Sequence, residues 1–590
     1  MALNHDLAEI FRIMAAVMEI KGESVFKAIA FSKVSRILND MTFDIKKAHD
    51  DGTLKDLEGI GPASRKIIED YIRNGRSVDF EEVSTSVPAG LLPMLEIPGL
   101  GPKTISLLWK ERGITNQEEL VRAIDEGKLD GLKGIGAKKI DSIKQGIALR
   151  AQAKGRVGIV EALPMGESLI ERVRALKGIA RAEVAGSLRR RKETIGDVDI
   201  VAALTDKADP VAIAALFVAF PEVQHILGQG ASKASVLTAG GLQVDLRMVP
   251  EENFGAALLY FTGSKDHNVR IRGRALDKGM TLSEWGLYDL AKYEKAAKKT
   301  AEAPKLAPIA SRTEADVYAA LGLAYVEPEL REDRGEVALA EAGTLPKLIQ
   351  LADIRGDLHT HTTASDGTNS IEEMAEAAKA MGYAFLAITD HSKSQVIANG
   401  LTADRLLKHV AAIRKVADKI KGIKLLAGCE VDILVDGRLD FDDAVLKELD
   451  IVVASPHVSL KQDSKKATDR IKRAIDTRYV NIIGHPTGRL INSREGLPLD
   501  FAQLFPVAAK NGTAMEINAG YPRLDLNEVN ARAALETGVM LSINTDAHSV
   551  SGLTEMIYGI NVARRAGTTV GSVINCMEVH DLMSFIAKKR

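Results

Sequence analysis

After residue 350 the chain repeatedly ends a short apolar run in a histidine or a carboxylate, and this pattern constrains the fold more than any other feature. Asp357-Leu358-His359-Thr360-His361 puts two imidazoles on one face of a strand, with Asp366 just beyond. Thr389-Asp390-His391, Gly428-Cys429-Glu430, Pro456-His457, Gly484-His485-Pro486 and Asp546-Ala547-His548 follow. Six of the 12 histidines fall in these contexts. The strand-like runs 385–389, 451–454, 480–483, 514–518 and 540–544 alternate with helical segments, which predicts a parallel barrel with its ligands converging at the strand C-termini. Imidazole mixed with carboxylate suits Mn²⁺, Zn²⁺ or Fe²⁺ rather than Ca²⁺. So many ligands point to a multinuclear hydrolytic site, where ions polarise a phosphoryl oxygen and supply hydroxide. A solitary histidine is usually structural; a His-x-His with four more strand-end histidines is a metal site. Asp357 and Asp390, each close to a ligand, fit either imidazole orienters or strand-end caps.

The front half carries a different constellation. Gly186-Ser187-Leu188-Arg189-Arg190 precedes Gly196-Asp197-Val198-Asp199-Ile200, and Asp245 follows in a second β-rich run at 243–249. Asp197 and Asp199 lie two apart in the strand-like run 197–202, so both face one side of a sheet. Three carboxylates on one face repel one another unless divalent cations sit between them, and all-oxygen ligands suit Mg²⁺ or Mn²⁺. Two such ions, roughly 3.5–4 Å apart, stabilise the attacking and leaving oxygens of phosphoryl transfer. Ser187, nearby backbone amides and Arg190 are placed to hold a triphosphate. The plain alternative is an acidic strand edge beside an unrelated turn.

A third signal is repetition. Leu57-Glu58-Gly59-Ile60-Gly61-Pro62, Ile97-Pro98-Gly99-Leu100-Gly101-Pro102-Lys103 and Leu132-Lys133-Gly134-Ile135-Gly136-Ala137-Lys138-Lys139 share a hydrophobic–Gly–x–Gly turn entering a helix. Such a turn presents backbone N–H groups to a phosphate without reading a base. It is also an ordinary interhelical turn, and the third copy fits a structural role as well.

Composition narrows the remaining classes. A chain of 590 residues exceeds one hydrophobic core, so several domains are expected. The net charge of −2 means that a DNA surface has to be a local basic stripe. Two cysteines, Cys429 and Cys576, exclude a disulfide scaffold and fit a reducing compartment. With no apolar run near the ~18 residues a membrane span needs and no basic leader, a cytoplasmic protein is expected.

On these motifs residues 1–330 resemble the family X DNA polymerases. The resemblance implies a helical N-terminal domain, fingers, palm and thumb, with Asp197, Asp199 and Asp245 as the metal-binding aspartates. Asp245 is also implied as base toward the primer 3′-hydroxyl, and Ser187, Arg190 and Gly196 as contacts to the nucleotide's phosphates. Tyr260-Phe261-Thr262-Gly263-Ser264 is similar to the family's sugar-contacting motif, with Tyr260, Phe261 and Gly263 at the nucleotide. As a bare pair, Tyr-Phe is more often core. Asn268 and Arg272, four apart on a predicted helix, match the minor-groove contacts. Arg270, Arg272, Arg274 and Lys278 add a basic stripe for the duplex. The turns imply backbone contacts to DNA from Gly59, Gly61, Gly99, Gly101, Lys103, Gly134 and Gly136. Two departures stand out. Lys265 replaces an aspartate that follows the Thr-Gly-Ser in many animal relatives, and the Schiff-base lysine of lyase-type relatives falls on Ile67, beside Lys66. Sugar-phosphate lyase activity is therefore not expected, whereas 5′-phosphate binding is.

Residues 353–590 resemble the PHP domain, the phosphoesterase module of polymerases and histidinol phosphatase. The resemblance implies a distorted (β/α)7 barrel holding three ions, Mn²⁺ and/or Zn²⁺, on His359, His361, Asp366, His391, Glu430, His457, His485, Asp546 and His548. It also implies a Mn²⁺-dependent 3′–5′ exonuclease, with 3′-end trimming or abasic-site cleavage related to it.

The whole is expected as a multidomain α/β protein. Its divisions are an N-terminal helix-hairpin-helix domain (1–80), fingers (81–150), nucleotidyltransferase palm (151–250), thumb (251–330), linker (331–352) and barrel (353–590). A mobile insertion or linker is also expected at 291–308. The predicted function is repair synthesis on gapped or nicked DNA from dNTPs, as in base excision repair, coupled to 3′-end processing, by a monomer that needs no membrane. One rival is a nuclease whose polymerase half serves only as a DNA clamp. Another is small-molecule nucleotidyl transfer with phosphate-ester hydrolysis.

Overall fold

A computed structural model describes residues 2–23, 25–40, 45–57, 59–95, 97, 100–129, 132, 134–136, 139–141, 143–144, 147, 156–296 and 306–589. The chain divides into two compact units, residues 1–154 with 492–494, and residues 155–491 with 495–590.

The first unit is helical. Helices α1 (Ala2–Lys21) and α2 (Val25–Asp40) bury Leu7, Phe11, Met14, Phe31 and Leu38 together. That cluster also takes Ile67 and Ile68 from α3 (Pro62–Asn74). A second cluster gathers Leu91, Met94 and Leu120 around Ile105 and Leu108 of α4 (Pro102–Arg112). The repeated motif folds as one repeated turn. The N–H groups of Ile60, Leu100 and Ile135 donate to the carbonyls of Leu57, Ile97 and Leu132 at 3.3, 3.0 and 2.9 Å. Gly59 and Gly134 sit at φ +84° and +97°, the conformation the third position of such a turn requires. Glu58, Pro98, Gly99, Lys133, Ala137 and Lys138 lie outside the described residues.

In the second unit a five-stranded sheet comes first. Strands β1 (Ile179–Val184), β2 (Asp197–Leu204), β3 (Val223–Gln229), β4 (Lys233–Thr238) and β5 (Gln243–Pro250) lie in the order β1-β2-β5-β4-β3. Strands β2 and β5 are parallel, with Asp199 directly opposite Asp245. Helix α5 (Ile159–Arg174) packs Ile159, Leu163, Leu169 and Val173 into the same core as Val198 and Ile200. Helices α6 (Phe254–Thr262) and α7 (Lys265–Asp277) follow, then a hairpin of Met280–Ser283 with Gly286–Asp289.

Two expectations from the sequence are corrected. Residues 331–352, expected as a linker, are packed. Arg331 is fully buried, the helix Glu336–Ala342 forms, and Val337, Ala340 and Leu348 join the cluster that holds Leu259, Ile271 and Tyr318. Small and acidic residues there disguised a helical face of only a few apolar positions. The stretch expected as mobile from 291 begins instead as a helix, Leu290–Ala296; residues 297–305 lie outside the described residues.

The barrel has seven parallel strands in sequence order: β6 (Gly356–Asp357), β7 (Phe385–Ile388), β8 (Lys424–Asp432), β9 (Ile451–Ser455), β10 (Ile482–Ile483), β11 (Ala514–Asn518) and β12 (Leu541–Asn544). Both ends of the sheet meet beyond β6 and β12, where His361 N–H donates to the Ala547 carbonyl at 2.8 Å. Every residue of β7, β9 and β11 is buried, as parallel strands under helices must be. Helix α8 (Met556–Ala566) packs Met556, Ile560 and Ala563 into this core.

Helix α6 lies against the chain at Thr313 so closely that a Cβ on Gly255 meets Thr313 backbone atoms at 2.2–2.4 Å. Backbone cannot swing aside as a side-chain tip does. Gly255→Ala is expected to cost about 1–3 kcal/mol by overpacking, read as a lower Tm; an unchanged Tm contradicts this packing.

Candidate metal centres

The front centre lies where β2 and β5 run side by side. Alternation puts Asp197 and Asp199 on one face, and the register brings Asp245 beside Asp199. The Asp199 carboxyl is pushed up to about 6, first by burial and then by the charges of Asp197 and Asp245. Burial raises Asp245 too, but bonds from Lys233, Ser235 and Gln243 hold it below the usual carboxylate range. Lys233 Nζ lies 2.7 Å from Asp245 Oδ2, and Gln243 Nε2 donates to Oδ1 at 3.1 Å. Among the described residues the trio does not close into a set of ligand atoms within 4.8 Å of one another; that convergence is met only in the barrel. The trio still fits cations, since burial and then the charges of Asp197 and Asp245 leave the Asp199 carboxylate short of a positive partner. Gly186 makes room for it, since a Cβ there lands 2.5 Å from Asp199 Oδ2.

A cleft of about 640 Å³ opens beside the trio, lined among others by Ser187, Arg190, Asp197, Asp199, Tyr260 and Phe261. Gly263, Asn268 and Arg272 line it as well. Asn268 Nδ2 donates to the Tyr260 carbonyl at 2.7 Å, tying α7 to the end of α6. Arg247 lies over the Phe261 ring at 4.7 Å. Gly196 is not part of the lining; the Arg156 guanidinium is packed where its Cβ would go, at 2.9 Å, and lines the cleft itself. Arg156, Lys192 and Lys265 are cleft cations that sequence reasoning did not assign to the nucleotide. Of the expected basic stripe, Arg270 pairs with Asp333 at 3.1 Å and Arg274 with Glu341 at 2.9 Å, so two of its four charges are partly neutralised.

In the helical unit, Gly61 and Gly101 are the N-caps of α3 and α4, and Pro102 and Lys103 open α4. A Cβ on Gly61, Gly101 or Gly136 meets nothing within 4 Å, so these helix starts border open space. Ile67 is buried, and the exposed Lys66 pairs with Asp79 at 2.9 Å.

The barrel centre is drawn tighter. Three sets of ligand atoms each fall within 4.8 Å: His361, Asp366, His391 and His548; His359, His361, Glu430 and Asp546; and His391, Glu430 and His457. The ninth expected ligand, His485, places Nε2 2.9 Å from Glu430 Oε1. Buried Glu430 is held well below the usual carboxylate range; burial raises it, and His457, His359 and His391 more than offset that. Asp546 is likewise held ionised against burial, by His359 and His361. His361 is pushed down to about 4 by burial and by His548 and His391. His359 Nε2, His361 Nδ1, His457 Nε2 and His485 Nδ1 are buried without a hydrogen bond among the described residues. Nitrogens left bare beside ionised carboxylates fit divalent cations.

The residues that orient these ligands differ from those foreseen. Asp357 accepts from the His359 and Thr545 N–H groups and the Thr545 hydroxyl; Asp390 accepts from Thr362, Ser365 and His409. Both tie strand ends and loops, and neither bonds a ligand imidazole. Glu516 does, at 2.8 Å from His359 Nδ1, and Asp432 bonds His457 Nδ1. A carboxylate on the far imidazole nitrogen fixes tautomer and ring orientation. Each is a single carboxylate in a buried strand whose imidazole partner lies on another strand end, and local spacing carries no signal for it.

Comparison with known proteins identifies the domains around these centres. The chain matches the models for a helix-hairpin-helix domain (residues 2–77), a SAM-like helix-hairpin-helix tandem (91–148), the DNA polymerase beta thumb (257–332) and the PHP domain (357–519). It is 38% identical to the DNA polymerase/3′-5′ exonuclease PolX of Bacillus subtilis (strain 168) over 585 residues, 99% of each chain. A probable phosphatase of Thermoanaerobacter sp. (strain X514) is 30% identical over 245 residues, 40% of this chain and 95% of that protein. The crystal structure of Leishmania infantum polymerase beta in a ternary P/T complex is 26% identical, covering 41% of this chain and 99% of that one at a TM-score of 0.28, too low to bear on the fold.

The raised Asp199 carboxyl gives a pH signature. Its folded value of about 6 exceeds the ordinary 3.8, so its ionisation weakens the cation-free fold as pH rises from about 4 through 6. In a chelator, Asp199→Asn is expected to raise Tm at pH 8, by about 1–3 kcal/mol of stability, and the advantage should vanish near pH 4. An advantage independent of pH contradicts the assignment.

Proposed function

The chain belongs to the family X DNA polymerases that carry a C-terminal PHP domain, and from that premise we propose that it fills short gaps in DNA and trims the 3′ ends it extends. It is a DNA polymerase and a 3′–5′ exonuclease that binds DNA and nucleotide and depends on divalent metal. The observation that carries the finer reading is the pairing of Asp199 with Asp245 on parallel strands, beside a cationic cleft that Asp197 and Asp199 line, in the same folded unit as the barrel centre.

Asp197, Asp199 and Asp245 hold Mg²⁺ or Mn²⁺, and the nine barrel ligands hold three ions, Mn²⁺ and/or Zn²⁺. Such cations, when bound, supply Lewis acidity toward the reacting phosphate at each centre. Asp245, tied to Lys233, is the group that takes the proton of the primer 3′-hydroxyl. Ser187, Arg190, Arg156 and Lys192 hold the triphosphate by charge-assisted bonds. Gly196 acts through the backbone and by seating Arg156. Tyr260, Phe261 and Gly263 form the wall at the sugar, and Asn268 and Arg272 reach the minor-groove side.

The backbone of the gapped or nicked duplex lies along the starts of α3 and α4. There Gly59, Gly61, Gly101 and Lys103, with Gly134 and Gly136, offer N–H groups and charge; Gly99 belongs to the same reading outside the described residues. At the barrel, Glu516 and Asp432 fix the imidazoles of His359 and His457, so their far nitrogens stay aimed inward. The protein works as a monomer in this reading, and among the described residues no helix is long and apolar enough to cross a membrane. The clamp and small-molecule rivals lose ground to the polymerase-and-exonuclease relative that matches the whole chain.

Primer extension on gapped DNA with Mg²⁺ or Mn²⁺ tests this. Asp199→Ala is expected to lower extension on the order of 10³-fold and leave 3′ degradation intact; His361→Ala is expected to do the reverse. Loss of both activities in either variant would overturn the assignment of two independent centres.

A further inference from the structure

The polymerase cleft and the barrel are joined by a buried chain of charges. Arg190, which lines the cleft, donates through Nε to Glu332 Oε1 at 3.0 Å and through Nη1 to the Thr262 carbonyl. That same Glu332 oxygen accepts from Arg565 Nη1 at 3.0 Å, and Arg565 lies on α8 of the barrel. Arg565 Nη1 also donates to the Arg190 carbonyl at 2.7 Å, and its Nη2 to Glu528 Oε1 at 2.9 Å. One guanidinium therefore grips both the backbone of Arg190 and the carboxylate that aims its side chain.

Burial makes the grip consequential. The Arg565 side chain is 2% exposed, Arg190 11% and Glu332 12%, so little water competes for these bonds. Arg565 and Arg190 together hold Glu332 ionised against the pull of burial. Taking Arg565 away leaves Glu332 and Glu528 as buried acids short of a cation, and frees the turn that carries Arg190.

We propose that Arg565 is a positioning residue of the polymerase centre, supplied by the barrel, which sets Arg190 toward the incoming triphosphate through Glu332 and the Arg190 carbonyl. This rests on the reading that Arg190 holds the triphosphate. The barrel is on this account part of the polymerase scaffold as well as a nuclease. Arg565 touches no reacting atom and none of the barrel ligands.

The test is single-nucleotide gap filling by the full chain, with KM for dNTP and kcat separated and 3′ degradation measured alongside. Arg565→Met is expected to raise KM for dNTP about tenfold, the scale of one lost charge-assisted bond, with kcat less affected and degradation within about twofold of the parent on that scale. Combined with Arg190→Ala, it is expected to add nothing further to KM, since both act through one guanidinium. An unchanged KM in Arg565→Met, or a fully additive double variant, overturns the proposal. If Arg190→Ala itself leaves KM unchanged, it is the triphosphate reading that fails. Should Arg565→Met lose degradation too, and so its fold, Arg565→Lys carries the test. It keeps the charge but cannot reach Glu332, Glu528 and the Arg190 carbonyl at once, so KM is expected to rise by less than for Met; a folded Lys variant with the parent's KM overturns the proposal.

Discussion

One ionised carboxylate, buried in the barrel mouth, is the constraint around which the back half is arranged. Glu430 has no exposed surface, and His359, His391, His457 and His485 from four other strand ends crowd it. A lone buried charge of this kind is costly unless it is paired. Imidazoles alone do not satisfy the whole cluster: burial first, and then His548 and His391, hold His361 down to about 4. Divalent cations resolve both demands at once. The front centre obeys the same rule with oxygen in place of nitrogen, and Asp199 bears the cost there.

The two centres are not independent in their support. Within one unit, Arg489 of the barrel grips Glu193 bidentately at 3.2 and 2.7 Å, just before Gly196 and Asp197. Tyr521 packs against Gly158, where a Cβ would meet its ring at 2.4 Å. Arg565 completes the joint at Arg190. These are charge-assisted and close-packed contacts, the kind that hold a fixed geometry rather than a loose tether.

Much of this was legible in the sequence where chemistry and local period coincide. Asp197 and Asp199 announced a shared strand face by spacing alone, and the barrel ligands stood at the ends of apolar runs. The strand register that brings Asp245 opposite Asp199 is set by pairing between segments far apart in the chain, which local spacing does not encode. Glu516, Asp432, Arg156 and Arg565 were missed because their partners lie far along the chain, and single charged residues carry no period to betray them. Asp357 and Asp390 fit two roles in the sequence because a carboxylate beside a ligand looks the same whether it bonds an imidazole or a backbone N–H. Residues 331–352 read as a linker because small residues bury well without looking hydrophobic in bulk.

Anomalous X-ray scattering from crystals of the full chain grown with Mn²⁺ and a gapped duplex tests the central claim most directly. Three peaks are expected among the barrel ligands, one for each converging set, and one or two among Asp197, Asp199 and Asp245. Manganese absent from the aspartate trio while present in the barrel would contradict it, as would barrel peaks lying away from Glu430.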